Sequence, residues 1–142
     1  KFWCPEMVNI ADHNNTKVFR YADAILMMAE CYLELDDTDN AMRYLNMVKD
    51  RAQIARYETF KNYDHLHEEI ERERARELFG EFQRKYDLVR WGSWYRQTFD
   101  YTDYKSLQDN ILPCHEYYPI PDKEVTYSGN ALDNDAYAEW GL

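Results

Sequence analysis

The feature that most constrains the fold is residues 64–92, the most charged stretch of the sequence, which nevertheless carries the pattern of a buried helix. Apolar side chains recur in it at helical spacing, namely Leu66, Ile70, Leu78 and Phe82. On a helix that turns about 100° per residue, three glutamates form a column on the same side as the first two of these: Glu73, Glu77 and Glu81. Because buried charges must be paired, the pattern predicts a helix over residues 64–82 whose carboxylates have specific partners.

Two interpretations of this carboxylate column are open. In the first, it is a catalytic or metal-binding site, for example a glycosidase that uses two of the three glutamates. In the second, it belongs to a structural ion-pair network that fixes how the helix packs, formed by Glu73, Arg74, Arg76, Glu77, Glu81, Arg84, Asp87 and Arg90. The second is favoured, because arginines lie nearby in the sequence and no histidine is placed to join a metal site. We therefore predict no enzymatic activity, no metal and no cofactor.

Residues 18–55 predict an antiparallel helix hairpin. The first helix, over 18–35, is apolar around most of its circumference, and the break at Asp36–Asp39 offers Asp39 as a cap for a second helix over 40–55. The hairpin fits a tetratricopeptide register, with packing positions at Ile25, Met28, Ala29, Tyr32, Ala41, Leu45 and Val48. A single repeat cannot bury its own face, so we expect it to pack on helix 64–82 and on further polypeptide. We also expect Cys31 and the Met27-Met28 pair to be packed.

Several motifs together resemble the SusD/RagB family of outer-membrane nutrient-binding lipoproteins. They are RYAD at 20–23 followed by Ala29-Glu30, Asn46-x-Val48-x-x-Arg51-Ala52, ERAREL at 73–78, YDLVRWG at 86–92 and YPIP at 118–121. Three departures are Lys49 in place of arginine, a tail without the usual proline and glycine over 130–137, and Phe82 where the family usually has glycine. If that position requires a positive φ angle, Phe82 is strained, and Gly80 is the alternative position for the backbone break.

The resemblance implies a mainly α fold, the SusD-like C-terminal region, in one domain over residues 1–142. We expect a helix hairpin at 18–55, the central charged helix and family signature at 64–92, and a proline-rich extended tail at 113–142. By resemblance, the longer protein is a surface-exposed lipoprotein of the outer membrane. It binds oligosaccharide or polysaccharide without chemistry and delivers it to a SusC-like TonB-dependent transporter. The alternative is a protein-interaction scaffold whose hairpin docks on the transporter or another partner, without its own ligand site.

Aromatic residues over 93–112 are the candidates for sugar contacts: Trp94, Tyr95, Tyr101 and Tyr104. Aromatic rings on loops can stack on sugar faces, and the alternative is that these rings cover the helical core. The net charge of −10 argues against binding to nucleic acid or to an anionic membrane surface, and it does not exclude neutral sugars.

The remaining sequence features are less specific. Three cysteines do not make a disulfide framework or a zinc motif. Residues 1–17 predict an irregular lead-in, with Thr16 as a possible cap for the first helix. No signal peptide or membrane-spanning run is present, and the first residue is Lys1, so we expect a processed product or a fragment.

Overall fold

A computed structural model describes residues 17–141, and the predictions for Thr16 and for most of the lead-in lie outside that range. The described chain is mainly α-helical, as predicted, and it contains no strand between residues 17 and 141. It divides into two compact units, an N-terminal unit that ends at Arg84 and a C-terminal unit that begins at Lys85. The assignment of residues 1–142 to one domain stays a prediction.

The N-terminal unit consists of three helices around one core. They are α1 (Tyr21–Glu34), α2 (Thr38–Arg51) and α3 (Tyr63–Glu77). The first two form the predicted hairpin, and α3 packs against both. The core is made by eight almost completely buried residues: Leu26, Ala29, Leu33, Ala41, Leu45, Val48, Leu66 and Ile70. Burial of each of the larger aliphatic side chains contributes about 1.5–3 kcal/mol, so these contacts are what hold the three helices together.

The hairpin differs from the prediction in its caps and on one helix face. The second helix is capped by Asp37, whose side chain accepts a hydrogen bond from the Asn40 amide at 3.1 Å, and not by Asp39. On α1 the core face runs through Ala22, Leu26, Ala29 and Leu33. Met27 and Met28 are 44% and 39% exposed and Cys31 is exposed, so the prediction that these three residues are packed is wrong.

The central helix ends earlier than predicted, at Glu77. A turn follows, in which Gly80 and Phe82 both adopt the left-handed conformation, with φ of 75° and 62°. The prediction that residues 78–82 continue the helix is therefore wrong, and Phe82 is 81% exposed instead of facing the core. Both positions considered for the backbone break carry positive φ, and at one of them the residue is a phenylalanine.

The C-terminal unit is built from short helices. These are α4 (Arg84–Arg90), which begins at the boundary, α5 (Trp94–Asp100), α6 (Lys105–Asn110), α7 (Asp122–Tyr127) and α8 (Asp135–Ala138), with a 3₁₀ segment at Pro113–Glu116. Gly92 ends α4 at φ 64°, and the Gly92 and Ser93 amides donate to the carbonyls of Val89 and Leu88, which is a Schellman motif. A small core forms from Leu88, Trp94 and Ile111.

The tail contains an extended stretch at 117–121 followed by the short helices α7 and α8. Asn134 fixes that stretch, because its side chain accepts from the Ile120 amide at 2.8 Å and donates to the Ile120 carbonyl at 2.9 Å. Tyr137 adds a hydrogen bond from its hydroxyl to the Tyr117 carbonyl at 2.5 Å. Within residues 17–141, none of the helices combines the length and the apolar character that crossing a membrane requires.

Candidate functional site

An arginine just before α1 contacts two members of the carboxylate column, Glu77 and Glu81. Arg20, the residue before α1, directs its Nε to both Glu81 carboxylate oxygens at 2.9 and 2.8 Å. Its Nη1 donates to Glu77 Oε1 at 2.7 Å, and its Nη2 donates to the Glu77 main-chain carbonyl at 2.7 Å. The hydrogen bond with Glu81 is the main cause that raises the pKa of the Arg20 guanidinium above its ordinary value. A single guanidinium therefore joins the start of α1 to the end of α3.

Glu77 also connects a third helix to this point. Its second carboxylate oxygen, Oε2, accepts from Nη2 of Arg51, the last residue of α2, at 2.5 Å. Since Glu77 is itself the last residue of α3, its backbone carbonyl lacks an intrahelical donor, and the Arg20 guanidinium supplies one. The two carboxylate oxygens and the main-chain carbonyl of Glu77 thus connect the end of α3 to the start of α1 and to the end of α2.

Two further pairs involve the same helix. Arg74 faces Asp23 of α1 at 2.9 Å, and both side chains are more than nine-tenths buried. The contact is an ion pair rather than a hydrogen bond, because Asp23 Oδ1 accepts no hydrogen bond of ordinary geometry among the described residues. Glu73, also buried, accepts from Arg76 at 3.0 Å. The Arg74–Asp23 pair, which is buried on both sides, is costly to break, because removal of one partner leaves an uncompensated charge.

The predicted network residues are distributed over both units. Glu73, Arg74, Arg76, Glu77 and Glu81 lie in or directly after α3, and Arg84 is the first residue of α4. Asp87 and Arg90 form a separate pair in the C-terminal unit, with two Arg90 nitrogens 3.1 Å from Asp87 Oδ1. We expected partners for the column among nearby arginines and missed Arg20, Asp23 and Arg51. Asp23 offered a signal, since it is an acid directly beside the core position Ala22 on a mostly apolar helix.

Two of the three glutamates of the column are engaged by guanidinium groups. Both carboxylate oxygens of Glu77 and both of Glu81 face a guanidinium nitrogen. Within residues 17–141 no three His, Cys, Asp or Glu side chains are grouped closely enough to hold a metal ion. The geometry is that of a clamp between helices.

The four aromatic candidates separate into two kinds of position. Trp94 is only 8% exposed and belongs to the small core of the C-terminal unit, and Tyr95 packs against that core. Tyr101 and Tyr104 are 81% and 75% exposed, at the end of α5 and just before α6. Only this second pair offers ring faces to a ligand.

The loop that carries the exposed pair is tied down. The Gln108 side-chain amide on α6 donates to the Phe99 carbonyl at 3.1 Å, and the Tyr104 amide donates to the Thr102 hydroxyl at 3.3 Å. The first bond links α5 and α6, and the second lies within the loop at residues 101–104. Other exposed tyrosines of this unit were not among the candidates: Tyr86, Tyr117, Tyr118 and Tyr127.

A lysine of the same unit contacts two aromatic rings. The Lys85 ammonium is 4.1 Å from the centre of the Tyr118 ring and 5.3 Å from that of Trp94, and it donates to the His115 carbonyl at 3.4 Å. Contacts of this kind hold α4, α5 and the extended tail segment together. One face of Tyr118 is therefore already occupied by a cation.

The fold and these contacts define a class of protein, a helical scaffold in which a hairpin is clamped to a third helix by buried ion pairs. The model of the SusD family matches residues 7–137, and the chain belongs to that family.

Individual relatives agree with this assignment. The chain is 38% identical over 144 residues to the SusD-like protein P25 of Formosa agariphila. This alignment covers 96% of the present chain and 27% of that protein. It is also similar to the crystal structure of a SusD superfamily protein from Bacteroides vulgatus, with a TM-score of 0.67 and 32% identity over 79% of this chain and 25% of that one. The chain therefore spans about a quarter of the length of the relatives that it matches.

Proposed function

We propose that the protein to which these residues belong binds oligosaccharide or polysaccharide nutrients at the outer-membrane surface, without catalysis, and passes them to a SusC-like TonB-dependent transporter. The observation that carries the proposal is the family match over residues 7–137. The ion-paired state of the glutamate column supports the non-catalytic part of it, because the carboxylates are used to fix helices. As a member of the family, the longer protein would be held at the membrane by a lipid anchor.

Within residues 17–141, Tyr101 and Tyr104 are the ligand contacts that we propose. Their rings are exposed on a loop fixed by Gln108, so they would stack on sugar faces at a small cost in conformational entropy. Trp94 would act on binding only indirectly, because its ring is buried in the small core with Leu88 and Ile111. We expect one aromatic–sugar contact to contribute on the scale of an aromatic–aromatic pair, about 0.5–1.5 kcal/mol beyond the area it buries.

The test is affinity electrophoresis of the 142-residue chain through gels that contain a panel of neutral polysaccharides, after its helical circular dichroism has been verified. Retardation by one polysaccharide that is abolished in Tyr101→Ala/Tyr104→Ala would support these contacts. Tyr127→Ala is the matched control, because Tyr127 is 80% exposed in the same unit and lies on a different helix. A folded chain that no polysaccharide retards would overturn the proposed contacts and leave residues 1–142 as a scaffold, with recognition elsewhere in the longer protein.

A further inference from the structure

Two strongly exposed phenylalanines lie beside the ion pairs of the N-terminal unit. Phe19 is 76% exposed and Phe82 is 81% exposed. Each is next in sequence to one member of an ion pair, in which Arg20 Nε is 2.8 Å from Glu81 Oε2. Arg20 has an extended backbone, in which successive side chains point to opposite sides, so the Phe19 ring is directed away from the buried carboxylates. We call Phe19 and Phe82 the phenylalanine platform.

A second contact joins the two segments on the other side of the platform. The Gln83 side-chain amide donates to the Val18 carbonyl at 3.4 Å. Together with the ion pair, this contact fixes the segments that carry Phe19 and Phe82 at two points, one on each side of the rings. Because the backbone is already held, little conformational freedom is lost when a ligand covers the platform.

The backbone conformation of Phe82 is unfavourable for its residue type. Its φ of 62° lies in the left-handed region, which bulky side chains avoid and which glycine adopts readily. Within residues 17–141 the ring gains little packing that would offset this cost, because it is 81% exposed. Positions that break a local rule in this way are concentrated at functional sites. The strained aromatic residue therefore indicates a contact with a ligand.

The size of the platform favours a small ligand over a protein partner. An aromatic side chain presents about 150–250 Å², so the two rings offer on the order of 250–400 Å². A stable protein interface buries about 800 Å² on each partner. The Gln83 amide oxygen accepts no hydrogen bond from residues 17–141, so it can accept one from a hydroxyl group next to Phe82. Apolar ring faces bordered by a polar acceptor match the two kinds of surface that a sugar presents.

We propose that the phenylalanine platform is a second sugar-binding surface, separate from Tyr101 and Tyr104, which belong to the C-terminal unit. A pyranose ring would place its C–H face on the phenyl rings and a hydroxyl group on the Gln83 amide oxygen. This inference rests on the proposed function, because it assumes the same class of neutral polysaccharide. Two weak surfaces on one chain bind a repetitive polymer more tightly than either surface alone, since the second contact becomes intramolecular.

Two substitutions at one position test the platform. The Kd of the 142-residue chain is obtained by affinity electrophoresis over a series of polysaccharide concentrations. Phe82→Tyr keeps an aromatic ring and should keep the wild-type Kd, whereas Phe82→Leu keeps only an apolar side chain and should raise the Kd by about threefold or more. Phe79→Leu is the matched control, because Phe79 is 73% exposed in the same turn and is not among the residues with positive φ. Equal Kd values for Phe82→Tyr and Phe82→Leu would overturn the proposal, because stacking on a sugar requires the ring.

Phe82→Gly separates binding from folding. It should raise the Kd while also raising the Tm, because the ring is lost and the backbone is relieved. If Phe82→Gly and Phe19→Ala leave the Kd unchanged while Tyr101→Ala/Tyr104→Ala abolishes retardation, this inference is wrong and the proposed function stands. Retardation that depends on Phe82 and not on the tyrosine pair would support the platform and remove the tyrosine contacts. A folded chain that no polysaccharide retards would overturn both.

Discussion

At the scale of single residues, the N-terminal unit depends on a few charged groups with several partners each. Arg20 makes four contacts below 3.0 Å with Glu77 and Glu81, and Glu77 uses a carboxylate oxygen on Arg51 as well. A planar guanidinium can satisfy such an arrangement because its donors point in fixed, separate directions, whereas an ammonium group cannot. The identity of residue 20 as arginine, and not only its charge, is therefore a structural requirement.

Arg20→Lys is expected to lower the free energy of unfolding by about 2–3 kcal/mol, because charge-assisted hydrogen bonds to buried carboxylates are lost while the charges remain. Urea unfolding followed by circular dichroism at the helix band measures the change. Arg56→Lys is the matched control, since Arg56 pairs with Asp50 at 2.5 Å in an exposed position and should show little change. If both variants unfold at the wild-type urea concentration, the clamp has no energetic importance.

Phe82 is a second residue whose identity affects stability, in this case unfavourably. It adopts φ 62° with its side chain 81% exposed, so the ring gains little packing while the backbone occupies a region that bulky residues avoid. Phe82→Gly should raise the free energy of unfolding by about 0.5–1 kcal/mol, after the greater freedom of glycine in the unfolded chain is subtracted.

The control for this prediction lies three residues earlier in the same turn. Phe79 is 73% exposed but is not among the described residues with positive φ, so Phe79→Gly should not stabilise the protein. Thermal unfolding of both variants decides the matter, and an equal gain from both would show that loss of an exposed ring, not relief of the backbone, is responsible.

At the scale of secondary structure, the sequence predicted which helices exist better than where they end. The hairpin and α3 follow from the spacing of residues such as Leu45, Val48, Leu66 and Ile70, because burial imposes a periodic pattern. The ends depend on hydrogen bonds that periodicity does not encode. Asp37 and Asp39 are equally good caps by type, and only the backbone geometry selects Asp37. The partners of Glu77 lie 57 and 26 positions away, so no local pattern could reveal them.

The cap of α2 leads to a prediction about acid stability. The hydrogen bond from the Asn40 side chain is the main cause that lowers the pKa of Asp37 below its ordinary value of 3.8, with the Asn40 amide as the second cause. A lowered pKa in the folded state means that the ionised cap stabilises above pH 3.8, and that this contribution is lost as the pH falls through the folded-state pKa. Asp37→Asn keeps a capping side chain but removes the titration, so its stability should fall less steeply below that pH.

Thermal unfolding over a pH series measures this difference, with Asp39→Asn as the control because Asp39 does not cap the helix. Asp37→Ala should be less stable than Asp37→Asn at neutral pH, since alanine cannot accept the Asn40 amide hydrogen bond. Parallel acid profiles for Asp37→Asn and the wild type would show that another group governs acid unfolding.

At the scale of the whole molecule, the strong negative charge distinguishes two modes of ligand recognition. A net charge of −10 repels anionic ligands through solvent at low ionic strength, and it leaves neutral sugars unaffected. Stacking on Tyr101 and Tyr104 involves no formal charge on either partner, so salt would not screen it. The salt dependence of binding therefore shows whether the ligand is neutral or charged, even when the ligand has not been identified.

We expect the Kd for a neutral oligosaccharide to change by less than about twofold between roughly 50 and 500 mM NaCl, because screening acts only between charges. Isothermal titration calorimetry of the 142-residue chain measures it, with Tyr101→Ala/Tyr104→Ala as the variant that should weaken binding equally at both salt concentrations. An affinity that rises strongly with salt would indicate an anionic ligand held against the repulsion of the protein. One that falls strongly would require a local cluster of cations, which would move the binding surface away from this tyrosine pair.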